Sequence, residues 1–190
     1  MKNLTDQQKG SLMAFVAVMF ITPDSLFIRL SNVDTWGLVF YRGIIPFFTV
    51  LIGMLLIYKL SFFKILFNSG YHGIIYVGTF SLTNITFVVS IQNTNVANTL
   101  LMIATAPMLS AILGALFLKE TPDKKTWISI IITFFAIIYI FFDSLKLGNF
   151  YGDILGFITA LGLAIGAVTI RSAKSKNLVP AAVVGKLFVA

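Results

Sequence analysis

Residues 128–142 read ISIIITFFAIIYIFF, an apolar run that only Ser129 and Thr133 interrupt. An α-helix rises about 1.5 Å per residue, so a run of this length crosses most of the ~30 Å hydrocarbon core of a bilayer. Strands of a membrane barrel alternate between apolar and polar residues in short segments, and this run does not alternate. The stretch therefore predicts a transmembrane helix.

Similar apolar runs occupy most of the remaining chain. Hydrophobic residues make up 58% of the sequence and charged residues only 11%, whereas a soluble domain carries about 25% charged residues. The connecting segments are short and leave no room for a soluble catalytic domain. We therefore predict an all-α polytopic membrane protein of about six helices, with a seventh opening at Pro180. The apolar runs fall near 11–30, 36–58, 73–91, 99–118, 126–142 and 152–170.

Lysine and arginine residues concentrate on the N-terminal tail and on every second loop. The tail and these loops hold ten basic residues, and the intervening loops hold two. Such an excess marks the cytoplasmic side of short loops. The pattern predicts a multi-pass protein of the cell membrane with a cytoplasmic N-terminus. The net charge of +7 is accordingly assigned to topology and contact with anionic lipid rather than to nucleic acid.

A faint internal repeat appears when the chain is shifted by 142 residues against itself, because Gly10 then aligns with Gly152 and Arg29 with Arg171. The second copy begins five helices after the first, and an odd number reverses its orientation in the membrane. Inverted repeats of this kind are typical of secondary transporters. Only residues 152–190 of the second copy are present, so we expect the chain to be a fragment or a truncated form.

Several short motifs occur in a matching order and spacing: Pro23-Asp24 with Ile28-Arg29, Phe40-Tyr41-Arg42-Gly43, Asn98 to Pro107, Leu118-Lys119-Glu120, and Gly152-Asp153. On these motifs the chain resembles the EamA-type branch of the drug/metabolite transporter superfamily over about residues 10–190. The resemblance implies a ten-helix fold made of two inverted five-helix halves. Residues 10–142 would form the first EamA-like repeat, and residues 151–190 would form the truncated start of the second.

Two charged residues, Asp24 and Arg42, lie inside predicted helices. Each is roughly 9 Å below the outer surface at about 1.5 Å per residue, so they share a depth on consecutive antiparallel helices. A charge at the centre of a membrane helix costs about 2.5–3.5 kcal/mol on insertion scales, and such residues usually pair. We expect an Asp24–Arg42 ion pair that gates the protein or binds substrate or a coupling ion. The alternatives are a static pair or side chains that extend outward.

A stripe of hydroxyl groups follows the third apolar run. Thr79, Thr83, Thr86 and Ser90 recur every three or four residues and therefore share one face of a helix, with Asn84 beside them. Thr83, Asn84, Thr86 and Ser90 are candidates for lining a solute or ion path. The alternative is that Ser and Thr bond back to the carbonyl four residues earlier, or link neighbouring helices.

Small residues and prolines mark the expected packing faces and kinks. Small residues let helix backbones approach closely, and a proline removes a backbone donor and disturbs the preceding turn. Thr121-Pro122-Asp123 predicts a helix cap, a proline at the first helical position and an acid in the first turn. The residues assigned to helix packing or kinks are Pro23, Pro46, Pro107, Gly114, Gly162 and Gly166.

Two further charged residues extend these patterns. Glu120 lies beside Lys119 at a helix end, where we expect it to have a structural role. Lys186 lies two residues beyond the position that the repeat makes equivalent to Arg42.

These observations favour a secondary transporter that moves a small organic metabolite or drug-like solute by alternating access. A non-transporting scaffold or lipid-flipping subunit is one alternative. An intramembrane enzyme is less favoured, because the chain has one His and no Cys and lacks the HExxH and GxSxG motifs. We expect no cofactor and no metal. The expected partners are the lipid bilayer and a small-molecule solute, with a homodimer as an option and no nucleic acid.

Overall fold

The computed structural model describes residues 6–21, 23–59, 61–147, 150–174 and 176–190. Within these residues the regular structure is helical and no strand is present, which confirms the predicted all-α fold. The chain divides into two compact units, Met1–Asn32 and Val33–Ala190, which are described separately. The helices are α1 (Asp6–Ile21), α2 (Asp24–Leu30), α3 (Thr35–Tyr58), α4 (Ser61–Asn68), α5 (Gly70–Asn93), α6 (Val96–Ile103), α7 (Ala106–Leu118), α8 (Lys124–Leu147), α9 (Phe150–Ser172) and α10 (Val179–Val189).

Four stretches among the described residues are long and apolar enough to cross a membrane: Thr35–Tyr58, Gly70–Asn93, Val96–Leu118 and Phe150–Ser172. They coincide with four of the predicted apolar runs. Many of their large apolar side chains face outward, and Leu56, Ile74 and Phe117 are each about three-quarters exposed. A surface of this kind is suited to lipid rather than to water.

The first unit consists of α1 and α2. α1 ends at Ile21 and α2 begins at Asp24, with Pro23 directly before it. The backbone N–H of Phe27 donates to the carbonyl of Pro23 at 3.0 Å, so the hydrogen bonding of α2 starts at the proline. At the other end the Ser31 hydroxyl donates to the carbonyl of Ile28 at 2.8 Å.

The fourth apolar run forms two helices, α6 and α7, which meet at Ala104 and Thr105. The Thr105 hydroxyl donates to the carbonyl of Met102 at 2.6 Å and satisfies a backbone group at the break. Pro107 lies in the first turn of α7, where the backbone N–H that a proline lacks would have no partner within the helix. In contrast, α3 runs unbroken through Pro46.

α9 packs along α5, and two glycines of α9 allow the helices to approach closely. A Cβ added at Gly152 would lie 2.7 Å from the backbone nitrogen of Thr94, and one added at Gly162 would overlap the Thr83 hydroxyl. At Gly166 the nearest atom would be a ring carbon of Tyr76 at 3.6 Å, which is an ordinary contact. The small-residue stripe of α9 therefore contains positions of unequal importance.

The cap of α8 differs from the prediction. The helix begins at Lys124, and the Asp123 carboxylate accepts hydrogen bonds from the Thr126 hydroxyl at 2.5 Å and the Thr126 N–H at 2.8 Å. These two hydrogen bonds hold the pKa of Asp123 below its ordinary value. The predicted cap at Thr121 is wrong, because the Asp123 carboxylate accepts the backbone N–H of Thr126 and Pro122 precedes the helix.

Replacing Gly152 with alanine tests the close approach of α5 and α9. The added methyl group meets backbone atoms that cannot move independently, so Gly152→Ala is expected to lower the unfolding free energy by about 1–3 kcal/mol. Gly166→Ala is the matched control and is expected to be neutral or slightly stabilising, because alanine favours helix over glycine. Thermal unfolding in detergent measures both. Equal stability of the two variants would contradict the packing described here.

Candidate functional site

Lys186 of α10 reaches a polar position within the second unit. Its ammonium donates to Oδ1 of Asn84 on α5 at 2.6 Å and lies 5.3 Å from the centre of the Phe80 ring. The Asn84 amide in turn donates to the carbonyl of Phe80 at 2.7 Å. An amide oxygen and an aromatic face both stabilise a cation that is removed from water.

Arg42 of α3 also approaches an aromatic ring of α5, that of Phe87, which is seven residues beyond Phe80. Its guanidinium carbon lies 5.8 Å from the centre of the Phe87 ring. Phe80, Asn84 and Phe87 are spaced by four and three residues and therefore share one face of α5. α5 thus presents an aromatic–amide–aromatic stripe that meets one cation from α3 and one from α10. We call Arg42, Phe80, Asn84, Phe87 and Lys186 the central site.

Gly185 brings α10 close enough to form this site. A Cβ at Gly185 would lie 2.9 Å from a ring carbon of Phe80. The Ser81 hydroxyl donates to the carbonyl of Gly185 at 2.9 Å, across the same contact. Lys186 follows directly in the sequence, so the close packing at Gly185 positions the ammonium beside Asn84.

The two members of the expected Asp24–Arg42 pair belong to different units. Asp24 is half-buried in the first turn of α2, in the first unit. Arg42 is half-buried in α3, in the second unit. Their pairing stays a prediction based on matching depth.

The remaining candidates on α5 lie in its packed interface with α9. The Thr86 hydroxyl is 2.7 Å from that of Thr159, and the Ser90 hydroxyl donates to the carbonyl of Gly152 at 2.7 Å. The Thr83 hydroxyl donates to the carbonyl of Thr79 at 2.6 Å, where Gly162 packs against it. In this structure the three hydroxyls act as helix–helix contacts, the alternative considered above. Asn84, on the neighbouring face, is the member of the stripe that joins the central site.

Asp153 forms a second polar cluster, which is not among the sites predicted from the sequence. Its side chain is fully buried in the first turn of α9 and accepts from the Thr94 hydroxyl at 2.6 Å and from the Asn98 amide at 3.4 Å. The first turn of a helix also stabilises a negative charge. In the sequence, Asp153 is marked only as an acid that follows a glycine at the start of an apolar run. Its hydrogen-bond partners could not be predicted from the sequence.

Arg171 and Glu120 tie the ends of α9 and α7 together. Arg171 Nη1 lies 2.5 Å from Glu120 Oε2, and Arg171 Nη2 donates to both the carbonyl and the hydroxyl of Ser110 at 2.9 Å. Gly114 provides the space, because a Cβ there would lie 2.5 Å from Glu120 Oε2. Both charged side chains are about 40% exposed, so the pair lies at the surface and orients the helix ends.

No group of three His, Cys, Asp or Glu side chains comes together as metal ligands in the described part of the chain. Its long apolar helices and inward-facing polar groups define a multi-pass membrane protein that is embedded in lipid.

The sequence model of the EamA-like transporter family matches residues 8–142. The chain belongs to this family, which is part of the drug/metabolite transporter superfamily, and the predicted resemblance is confirmed. No curated protein and no solved structure gives a significant match.

The contact between Thr94 and Asp153 can be tested by removing the hydroxyl. A hydrogen bond to a charged group contributes about 1.5–3 kcal/mol, and Thr94→Val is expected to lower the unfolding free energy by a similar amount. Thr79→Val is the control, because its hydroxyl donates to the carbonyls of Ile75 and Tyr76 in its own helix. Thermal unfolding in detergent compares the two. A Thr94→Val protein as stable as wild type would refute this role.

Proposed function

We propose that the protein is a secondary transporter that carries a small organic solute across the cytoplasmic membrane by alternating access. Membership of a transporter family supports the class. The observation that carries the proposal is the central site, in which Lys186 and Arg42 approach one polar and aromatic face of α5. Charged groups inside membrane helices are rare and usually mark a substrate or ion pathway.

The chemistry of the central site favours an organic solute with a negatively charged group. The ammonium of Lys186 now bonds to the Asn84 amide, and a carboxylate or phosphate would bond to it more strongly because that bond is charge-assisted on both sides. The rings of Phe80 and Phe87 offer apolar faces for the organic part of the solute. Exchange of the amide for the solute would give α10 and α5 different contacts in the loaded and empty states.

The proposal includes the orientation of the protein in the membrane and a gate formed by Asp24 and Arg42. The basic loops support a cytoplasmic N-terminus, and the inverted repeat supports two halves that move against each other around a fixed site. Asp24 is proposed to pair with Arg42 when no solute is bound and to release it when solute binds. The matching depth of the two residues supports this exchange.

Transport by Lys186 variants in proteoliposomes tests the proposal. The assay compares uptake of radiolabelled carboxylates, phosphate monoesters and amines of metabolite size. Lys186→Gln is expected to lower anion uptake by about 10–100-fold, the factor that matches a lost charged hydrogen bond. Lys186→Arg should retain part of the activity, and Lys125→Gln, at an exposed position in the first turn of α8, should retain all of it.

Two results would contradict the proposal. Uptake by Lys186→Gln at the wild-type rate would show that the central site does not bind the solute. Uptake confined to amines would show that the site does not select anions.

A further inference from the structure

A polar cavity lies away from the central site, between α4 and the segment that connects α9 to α10. Its volume is about 640 Å³, and it is lined by Lys64, Ile65, Asn68, Ser69, Lys176 and Asn177. The lining thus carries two lysines, two side-chain amides and no acid. A concave surface of this composition attracts an anion and can donate several hydrogen bonds to its oxygens.

An apolar groove of about 440 Å³ adjoins this cavity at Ser69, which lines both. The groove runs between the start of α5 and the far end of α10, and the residues that make it apolar are Leu66, Phe67, Ile74, Val77, Val184 and Phe188. Gly70 has a φ of +57° and makes the sharp turn from α4 into α5 at this junction. The polar cavity and the apolar groove therefore meet at this turn.

α4 has the character of a helix at the membrane boundary. It spans eight residues between α3 and α5, and its aromatic side chains Phe63 and Phe67 are 50% and 81% exposed. Phe62 on the opposite face is buried and packs near Met54 and Val183. Exposed aromatic residues next to lysines are typical of a segment that lies at the level of lipid headgroups.

We propose that the cavity and the groove together bind one anionic phospholipid. The charged phosphate of the headgroup lies between Lys64 and Lys176, and one acyl chain occupies the groove along α5 and α10. A free phosphate would fill the cavity and leave the groove unused, whereas a zwitterionic lipid would bring no net charge to the two lysines. The groove ends on α10, the helix that supplies Lys186, so the lipid would stabilise the position of α10.

Lipid titration of the purified protein by native mass spectrometry tests the charged half of the site. The affinity for phosphatidylglycerol is expected to exceed that for phosphatidylcholine. Lys64→Gln/Lys176→Gln should weaken phosphatidylglycerol binding on the order of tenfold or more, since each lysine beside an anionic headgroup strengthens the binding of the lipid. The control Lys124→Gln/Lys125→Gln removes the same charge from exposed positions and should leave the affinity unchanged. Equal losses in the two double variants would refute the site in favour of diffuse surface charge.

A fluorescent reporter tests the groove without disturbing the lysines. Phe188→Trp places an indole in the groove at a position that is 68% exposed, and circular dichroism verifies that the helices are retained. Phosphatidylglycerol brominated on its acyl chains should quench the added fluorescence more than brominated phosphatidylcholine does. Adding Lys64→Gln/Lys176→Gln should remove that difference. Equal quenching by the two lipids, or displacement of phosphatidylglycerol by millimolar inorganic phosphate, would overturn the proposal.

Discussion

A hydrocarbon environment offers no water to the polar groups of a helix, and this constraint organises the second unit around α5. Every backbone group must be satisfied within the protein, and the side-chain hydroxyls follow the same rule. Those of Thr83 and Thr86 each donate to the carbonyl four residues earlier, and the single proton of the Ser81 hydroxyl is shared between the carbonyls of Val77 and Gly185. Hydroxyl oxygens also contact neighbouring helices, as at Thr159 of α9 and at the carbonyl of Gly185 on α10. The polar side chains of α5 therefore form hydrogen bonds within their own helix and also contact α9 and α10.

The two faces of α5 then serve different purposes. The face toward α9 is closed, because glycines bring the helices together and the hydroxyls between them are buried. The neighbouring face carries Asn84 between two phenylalanines and receives cations from α3 and α10. Asn84 is half-buried, in contrast to Thr86 and Ser90 on the closed face. This asymmetry within one turn of one helix separates the structural part of the polar stripe from the part that we propose to bind solute.

Apolar length and periodicity determined what could be predicted. The runs that contain α3, α5 and α9 were evident because nothing but a membrane helix accommodates so many apolar residues in succession. The family was also accessible, because its motifs are local in sequence. The short helix α4 was missed, since its eight residues carry neither a long apolar run nor a strong cap. The cap of α8 was misplaced by two residues, because Thr121 and Asp123 are both suitable caps and only the backbone decides between them.

Side-chain partners distant in sequence could not be predicted. Lys186 and Asn84 are 102 residues apart, and the two-residue displacement of Lys186 from its repeat position concealed its relation to Arg42. Thr94 and Asp153 are 59 residues apart, and neither residue is unusual on its own. The hydroxyl stripe was recognised as one face of a helix, but only the packing of α9 assigned most of it to an interface.

The different roles of the two faces of α5 can be measured directly because the chain has no cysteine. Single Asn84→Cys and Thr86→Cys variants would be reconstituted into vesicles and treated with a small, membrane-impermeant thiol reagent. We predict that the cysteine at position 84 is labelled, that labelling slows when a transported solute is present, and that the cysteine at position 86 stays unlabelled until the protein is unfolded. Rapid labelling at position 86 with none at position 84 would contradict it.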